Sequence, residues 1–394
     1  MNSKPCKICG GTHFKKLGAL CSNMKIMGPQ FSEGSCDIVV CSDCGFVFNQ
    51  YENADQSCFD SYYRSSSSKT MDYYDIYPRD IIDAYFEHLL HNLEHYITKD
   101  SRILDVAGGH GQLAQYLIEH GYPNITVLEI KPECIQSVKA LGIDVLEDSL
   151  FDLQIQNGEY DLVLCDHSLE HFVNLDVAIQ KMKMLIKVGG HLYIEVPDVE
   201  GYQKQDEAPY HFLTYEHVCH FSDETMDNLA NCFGLQIVNR NKCLKGNDYP
   251  TLCVMYALDS ANRPVQKDSA SEPALVHYIK KCEKDIAEAV SRFEASQVPL
   301  ILWGIGASTA QLLSGNFDRC SVIQLVDSNP ARQGLSFQVG NRVLQVEDPS
   351  QIHSSEAVIF ILSTAYKRNI EKNIRSLGYE NETASLESRM EKQI

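Results

Sequence analysis

Short apolar runs alternate with amphipathic stretches through the middle of the chain. Residues 80–97 carry apolar positions at helical spacing, RILDVAG is a short strand that ends in Gly108-Gly109-His110-Gly111, and QLAQYLIEHG resumes a helix. ITVLEIKP is a second strand with Glu129 at its end, and the helix ECIQSVKALG follows. This order of strand, glycine turn, helix and strand predicts a mononucleotide-binding unit of a doubly wound α/β sheet. The acidic residue at the end of the second strand can accept hydrogen bonds from ribose hydroxyls.

Further strands and a second unit follow. A third short strand precedes Asp148, YDLVLCDHSLEHF is the fourth, and KVGGHLYIEVP is hairpin-like. Residues 259–273 are polar, contain two prolines and predict a domain boundary. A charged helix from about Ala274 to Ala295 then leads to VPLILWGIGASTAQLL, VIQLVDSNPARQG and EAVIFILST, which predict a second Rossmann-like domain with weak internal self-similarity.

Length, composition and charge restrict the class of protein. A chain of 394 residues predicts two or three domains, and 44% hydrophobic with 22% charged residues is typical of a soluble globular protein. A net charge of −19 disfavours nucleic acid as a partner. No stretch approaches the roughly 18 apolar residues of a membrane span, and the first residues do not lead into a signal peptide. We therefore expect a cytoplasmic protein without a membrane partner.

Four of the fifteen cysteines stand apart by their spacing. Cys6 and Cys9 form one Cys-x-x-Cys pair, Cys41 and Cys44 form another, and a glycine follows each pair. Two such pairs predict four thiolates around one structural Zn²⁺ with no open coordination position. Cys21 and Cys36 lie between the pairs, but their spacing does not fit.

A polar passage rich in tyrosine and serine occupies residues 51–77. Its composition is that of a linker or mobile loop, and Ser65 to Ser68 fit a solvated coil. The density of tyrosines favours instead a lid over a ligand, because tyrosine offers a rigid surface with a hydroxyl at its tip.

The first glycine turn resembles motif I of the class I S-adenosylmethionine (SAM) methyltransferases. It has Asp105 at its start and Ala107 where a dinucleotide fingerprint has its first glycine, followed by Gly108, Gly109 and Gly111. The resemblance implies that these residues bind SAM, with Glu129 and Ile130 at the ribose, Asp148 and Ser149 near the adenine, and Asp166 and His167 bordering the methyl group. Binding of NAD by the same unit remains an alternative.

The whole chain is similar to a narrower family, the deoxysugar C-methyltransferases of the C-3-methyltransferase type. The resemblance rests on CKICGG with VCSDCG, YYRSSSS, LDVAGGHG, YEHVCHFS and LWGIGASTAQLL, in that order. It implies that His217 is the base that removes a proton next to a sugar ketone, that Glu216 orients the ring or binds a sugar hydroxyl, and that Tyr63 donates to the enolate. The enolate carbon would then attack the SAM methyl group.

The same resemblance implies where a nucleotide-linked sugar binds. Ser65 and Ser66 of the loop would contact the substrate, and backbone N–H groups at a second glycine turn would face its phosphates; the turn residues are Gly304, Gly306, Ala307 and Ser308. Two alternatives stay open for this C-terminal unit: Asp327 holds the ribose of NAD in a reductase domain, or the unit only completes the cleft.

Two departures from the family bear on the substrate. Arg64 replaces a loop histidine, and Lys245-Gly246-Asn247-Asp248 replaces a His-Gly-Gly stretch. Arg64, Lys245 and Asn247 are therefore candidate substrate contacts, with the two cations suited to phosphate or carboxylate. Transfer to oxygen or nitrogen, and a zinc- and cofactor-binding module without turnover, remain alternatives.

Glu216, His217 and His220 also raise the question of a metal site. A catalytic metal needs three protein ligands, and this segment offers no helical His-Glu-x-x-His arrangement, so we expect His220 to pack in the core. His171, which could cap a helix, is not assigned to the site. The predicted organisation is a zinc-binding domain (1–60), an active-site loop (61–79), a methyltransferase domain (80–258), a linker (259–273) and a Rossmann-like domain (274–394), as a monomer or homodimer.

Overall fold

The computed structural model describes residues 4–20, 27, 31, 36–65, 78–154, 158–204, 209–245, 249–261, 263–363 and 366–386. Two predicted substrate contacts, Ser66 and Asn247, lie outside these ranges, as do residues 66–77 of the tyrosine- and serine-rich passage. The helices are α1 (Gln56–Arg64), α2 (Arg79–Leu93), α3 (Gln112–Glu119), α4 (Pro132–Ala140), α5 (Leu175–Leu185), α6 (Asp223–Phe233), α7 (Ser271–Ser296), α8 (Ala307–Leu313) and α9 (Lys367–Ser376).

The strands form three sheets. In chain order they are β1 (Phe14–Leu20), β2 (Cys36–Cys41), β3 (Val47–Tyr51), β4 (Ile103–Val106), β5 (Ile125–Leu128), β6 (Asp144–Leu146), β7 (Tyr160–Asp166), β8 (Ile186–Pro197), β9 (Cys219–His220), β10 (Leu235–Lys245), β11 (Tyr249–Leu258), β12 (Leu300–Trp303), β13 (Val322–Val326), β14 (Ser336–Val339), β15 (Arg342–Glu347), β16 (Val358–Ile361) and β17 (Thr383–Ser385).

The central sheet has seven strands in the order β10-β11-β8-β7-β4-β5-β6. Strands β6, β5, β4, β7 and β8 run parallel, whereas β11 is antiparallel to both β8 and β10. The parallel strands are continuous apolar runs because helices cover both faces of such a sheet. The predicted α/β core is confirmed. The stretch described as hairpin-like is instead the single twelve-residue strand β8, with a register shift against β7.

The N-terminal sheet combines distant parts of the chain. Its order is β1-β2-β3-β9, and β9 lies more than 160 residues after β3 in the sequence, directly after His217. The predicted boundary between residues 60 and 61 falls inside helix α1. The N-terminal sheet therefore has as its edge strand a segment that sequence patterning assigned to the methyltransferase part.

The segment predicted as a linker, residues 259–273, is fixed to the rest of the protein by hydrogen bonds of Asp268. Asp268 is 3% exposed, and its carboxylate accepts from Ser222 Oγ at 2.7 Å and from Ser271 Oγ. Ser222 also caps helix α6 by accepting from the N–H of Thr225. The Asp268 N–H donates to the carbonyl of Cys44. These contacts join the N-terminal module, helix α6 and the start of helix α7.

The C-terminal sheet has the order β14-β15-β13-β12-β16-β17. Strands β15, β13, β12, β16 and β17 run parallel, and β14 is an antiparallel edge strand. This is the second Rossmann-like unit that the sequence predicted. Among the described residues, no helix is long and apolar enough to cross a membrane.

Candidate active site

The carboxyl ends of the neighbouring parallel strands β7, β4 and β5 lie at one edge of the sheet, where open α/β sheets have the crevice that binds their ligands. The glycine turn after β4 lines it. Gly109 and Gly111 have φ values of 56° and 80°, and a Cβ on Gly108 would lie 2.5 Å from Asp105 Oδ2. Ala107 has a φ of 57°, so alanine occupies a left-handed position that glycine adopts at about 1 kcal/mol less cost. The turn is strained where a ligand would approach.

Glu129 closes one side of the turn. Its carboxylate accepts from the backbone N–H of Gly109 at 2.9 Å and from those of Ile130 and Lys131, each at 2.8 Å. The side chain is 6% exposed, and burial raises the pKa of Glu129 although these hydrogen bonds oppose the shift. Glu129 thus fixes the glycine turn to the end of β5.

Asp105 and Asp166 end neighbouring strands and share one region of negative charge. Burial, followed by the charges of Asp166 and Glu129, raises the pKa of Asp105 to about 7. Burial would also raise the pKa of Asp166, but the charge of Lys245 and the proximity of His167 outweigh it, so that the pKa of Asp166 is lowered. Lys245 Nζ lies 3.4 Å from Asp166 Oδ2. The lysine predicted to contact substrate therefore lies against the carboxylate predicted to border the cofactor.

Helix α1 reaches the far end of this crevice. Arg64 approaches Asp148 and Asp152, each at 3.5 Å, and Ser149 Oγ donates to Asp60 at 2.6 Å. Asp148 and Ser149 thus lie where the sequence placed them, after β6, while Arg64 pairs with carboxylates of this chain. Ser65 donates to the carbonyl of Tyr62 and ends the helix.

His217 lies in a partly buried cluster of imidazoles. Desolvation, followed by the charge of His171, lowers the pKa of His217 well below its ordinary value. Its Nδ1 is buried and meets no hydrogen-bond partner in the part of the chain that the structure describes. The ring of His171 lies 5.0 Å away at an interplanar angle of 75°. This shift favours the neutral form of the His217 imidazole, which is the form that a general base requires.

A carboxylate that sequence patterning missed lies at the centre of this cluster. Glu170 is 2% exposed, and its Oε1 lies 3.6 Å from His167 Nδ1 and 3.9 Å from His171 Nε2. Ligand atoms of Glu170, His171 and His217 all lie within 4.8 Å of one another. Burial would raise the pKa of Glu170, but contact with His167 and the proximity of His171 outweigh it, so that this pKa is lowered. The signal was present in CDHSLEHF, where two acid–histidine pairs follow the fourth strand.

Tyrosines of helix α1 cover the cluster. Tyr63 Oη lies 3.3 Å from His171 Nδ1, which also lies 2.9 Å from the carbonyl oxygen of Glu216. The Glu216 carboxylate accepts from Tyr62 Oη at 2.5 Å. Glu216 is thus tied to Tyr62, and Glu170 is the carboxylate grouped with the His217 ring. Burial raises the pKa of Tyr63 well above its usual range, so the hydroxyl keeps its proton and can donate it in a hydrogen bond.

The N-terminal sheet holds the segment that carries His217. Asn49 Nδ2 donates to the carbonyls of Thr214 at 3.0 Å and His217 at 2.9 Å, and its backbone N–H donates to Val218 at 2.7 Å. Tyr51 Oη donates to the carbonyl of Tyr215. Strand β9 then pairs with β3. The candidate base is therefore positioned by the cysteine-containing module as well as by the methyltransferase sheet.

We expect Asn49→Ala to loosen this segment without weakening the cofactor crevice. It leaves two carbonyls without their donor, and each unsatisfied buried group costs about 1–3 kcal/mol. Hydrogen–deuterium exchange measured by mass spectrometry should become faster in residues 214–220 and stay unchanged in residues 103–111. Asn124→Ala, at a surface amide that donates to Asp100 O, is the matched control. Equal protection of residues 214–220 in Asn49→Ala and the wild type would contradict this account.

The four cysteines predicted as metal ligands come together where the segment before β1 meets the end of β2. Cys6 Sγ lies 3.6 Å from Cys44 Sγ, and Cys9 Sγ lies 3.6 Å from Cys41 Sγ. Contact with Cys41 raises the pKa of Cys6 to about 12. Thiolates at about 2.3 Å from a tetrahedral zinc lie about 3.8 Å apart, so the donor set and its spacing fit zinc. Gly45 cannot carry a side chain, because a Cβ there would lie 2.1 Å from the carbonyl oxygen of Asp268.

The second glycine turn differs from the prediction of an open phosphate site. The backbone N–H groups of Gly304, Ile305 and Gly306 already donate to Val326 O, Asp327 Oδ2 and Thr309 Oγ1. Ala307 and Ser308 begin helix α8, which has only seven residues. Asp327 holds this turn as Glu129 holds the first, which supports the predicted similarity of the two units. The backbone N–H groups of Gly304, Ile305 and Gly306 are therefore already hydrogen-bonded within the protein, and they do not form an open phosphate site.

His220 packs in the core. It is fully buried on β9, its Nδ1 lies 3.3 Å from Tyr202 Oη, and burial lowers its pKa to about 4. The cluster that could hold a cation is Glu170, His171 and His217, not Glu216, His217 and His220.

Comparisons with known proteins bear on the central part of the chain. Residues 78–240 match a family model described as a methyltransferase domain. The chain is similar to a SAM-dependent methyltransferase from Mesorhizobium loti, with 16% identity, a TM-score of 0.35 and coverage of 42% of this chain and 95% of that chain. For 1,6-didemethyltoxoflavin-N1-methyltransferase from Burkholderia thailandensis, the identity is 14%, the TM-score 0.40 and the coverage 56% and 97%. A search of curated proteins found no match.

The parallel sheet and the matched family model define the class of this part of the chain: residues 78–240 form a methyltransferase domain. The alternative of NAD binding by this unit is set aside. What the enzyme methylates is a separate question, which the geometry around His217 addresses.

Proposed function

We propose that this enzyme transfers the methyl group of SAM to a carbon acid, the carbon next to the ketone of a nucleotide-linked keto-sugar. The observation that carries the proposal is the grouping of His217 with the Glu170 carboxylate and the His171 ring, beside the Tyr63 hydroxyl, which lies 3.3 Å from His171 Nδ1. A proton next to a ketone is weakly acidic, so its removal needs a positioned base and donors that stabilise the enolate. His217 is the base, and Tyr63 is the donor.

SAM would bind in the crevice at β4, β5 and β7. It supplies a methyl group on a sulfonium, and it also carries an ammonium. The crevice is lined by carboxylates that suit a cation, namely Asp105, Glu129, Asp148 and Asp166. Asp105 Oδ2 is buried and meets no hydrogen-bond partner in the described ranges, so it is available to a donor of the cofactor.

The proposed binding of SAM depends on pH through Asp105. Its pKa is about 7 without cofactor, and a bound cation favours the ionised form. The affinity should therefore be highest above pH 7 and fall by up to about tenfold per pH unit as the pH decreases below 7. Titration calorimetry with SAM between pH 5.5 and 8.5 measures this. Asp105→Asn should remove the dependence, and a wild-type affinity that is flat across this range would contradict the assignment.

We further propose that Cys6, Cys9, Cys41 and Cys44 bind one structural zinc ion. Because β3 and β9 pair, this ion would stabilise the sheet that positions His217. The C-terminal unit also reaches the site: Arg332, 7% exposed after β13, lies beside the hydroxyl of Tyr62. This contact supports a role for that unit in binding the nucleotide part of the substrate.

Mass spectrometry of reactions with SAM and a panel of dTDP-, UDP-, GDP- and CDP-linked 4-keto sugars tests the proposal. The expected result is a sugar that gains one methyl group with formation of S-adenosylhomocysteine, which His217→Ala fails to produce. A product methylated on oxygen or nitrogen, or SAM binding without turnover on any of these sugars, would contradict it.

A further inference from the structure

Glu170 is a buried carboxylate whose charge is incompletely compensated within the fold. Its Oε1 faces His167 at 3.6 Å and His171 at 3.9 Å, and both distances exceed a normal hydrogen bond. Its Oε2 is buried and meets no hydrogen-bond partner among the described side chains and backbone. Burying an ionised carboxylate is costly unless a counter-charge lies nearby. Protonation of a group next to Glu170 is therefore stabilised by the carboxylate.

The tautomer of His171 follows from its contacts. Its Nδ1 lies 2.9 Å from the Glu216 carbonyl, which can only accept, so Nδ1 carries the hydrogen. In the neutral ring, the Nε2 lone pair is then left on the side of Glu170. His217 Nδ1 also lies buried in the cluster without a partner. Two imidazole nitrogens that can accept a proton, His171 Nε2 and His217 Nδ1, thus lie near the Glu170 carboxylate.

We propose that Glu170 is a positioning residue that serves as the counter-ion for His217 when this imidazole takes the proton from the substrate carbon. The inference rests on the proposed function. In the step, the C–H bond breaks, its electron pair stays on the substrate as the enolate, and the proton moves to the His217 ring. Glu170 forms no bond and accepts no proton; it stabilises the imidazolium at a distance within 4.8 Å.

No other ionisable group described around Glu170 and His217 supplies the negative charge that the His217 imidazolium needs. The imidazoles that face the pair are His167, His171, His211 and His220, and the other nearby carboxylates are Glu216, bound by Tyr62, and Asp166, paired with Lys245. The remaining titratable neighbours are kept neutral, because burial raises the pKa of each; they are Tyr63, Tyr202, Cys165 and Cys219.

Glu170→Gln tests this role because it keeps the shape and removes the charge. With the keto-sugar accepted by the wild type, kcat should fall about a hundredfold at nearly constant KM, since general-base catalysis contributes about 10²–10⁴-fold. Without the carboxylate the pKa of His217 falls further, so the acid limb of the kcat–pH profile should move to lower pH. Glu170→Asp should recover most of the rate. Glu94→Gln, at an exposed carboxylate after α2, is the control.

The outcomes separate the inference from the proposed function. If the wild type exchanges no α-hydrogen and methylates no keto-sugar, the proposed function fails and the role of Glu170 fails with it. If the wild type turns over and Glu170→Gln keeps its rate and pH profile, only this inference is wrong. A further possible outcome is that a chelator abolishes turnover, Mg²⁺ or Mn²⁺ restores it, and Glu170→Gln fails to bind that ion. This combination of results would overturn the inference about Glu170 in favour of a metal site. Should Glu170→Gln not fold, judged by SAM binding, a Glu170→Asp variant that folds but is inactive would also overturn it.

Discussion

Replacing His217 with alanine is expected to abolish methyl transfer while leaving SAM affinity unchanged. The imidazole is the only group of its cluster that the proposed mechanism uses as a base, and a positioned base contributes about 10²–10⁴-fold to a rate. Because His217 lies outside the crevice formed by β4, β5 and β7, cofactor binding should not depend on it. The measurement is the rate of S-adenosylhomocysteine formation with the accepted keto-sugar, together with the dissociation constant of SAM by calorimetry.

Two control variants sharpen this experiment. His217→Gln keeps a polar side chain of similar size without a base and should be as inactive as His217→Ala. His95→Gln changes an exposed histidine just after α2 and should retain full activity. A His217→Gln enzyme with wild-type turnover would contradict a role for the imidazole as base. Loss of SAM binding in His217→Ala would instead indicate a disrupted fold.

Removing the zinc ligands is expected to have the second largest effect. Cys44→Ser should reduce bound zinc from about one ion per chain and destabilise the N-terminal sheet, because structural zinc sites in small peptides contribute about 10–16 kcal/mol to the folded state. Since Asn49 and strand β9 connect this sheet to residues 214–220, turnover should be lost along with the metal. Elemental analysis, thermal unfolding and turnover are measured on the same preparation.

The cofactor crevice supplies the internal reference for this prediction. It is formed by a separate sheet, so SAM binding should persist in Cys44→Ser wherever the central sheet remains folded. Cys320→Ser, at a half-buried cysteine of the C-terminal unit, should keep zinc, stability and turnover. A wild-type protein that contains no zinc, or a Cys44→Ser variant with unchanged melting temperature and turnover, would contradict the assignment.

Periodicity predicted the central sheet well because its strands are buried on both faces and its turns need glycine. Strand β4, the turn at Gly108 and Gly109, and Glu129 after β5 lie where the pattern placed them. These features are local, since each depends on neighbours along the chain. The grouping of the two Cys-x-x-Cys pairs was also predictable from the sequence, because the spacing of the cysteines is itself typical of a zinc site.

The parts that sequence did not reveal depend on contacts between distant residues. Strand β9 has only two residues, and its partner β3 lies far away in the sequence, so no local pattern marks it. Glu170 lies between two histidines of its own segment, but local sequence did not reveal that the distant His217 joins this group. The turn at Gly304 resembled a phosphate site, but its amides are taken by Asp327 and Thr309.

Deuterium incorporation at the carbon next to the ketone tests the central claim most directly. The enzyme is incubated in D₂O with a keto-sugar that it methylates, without SAM, and the sugar is followed by NMR. The account predicts that the wild type exchanges this hydrogen for deuterium and that His217→Ala does not. Methylation of the same sugar by a wild-type enzyme that exchanges no carbon-bound hydrogen would contradict the carbon-acid mechanism and point to transfer to oxygen or nitrogen.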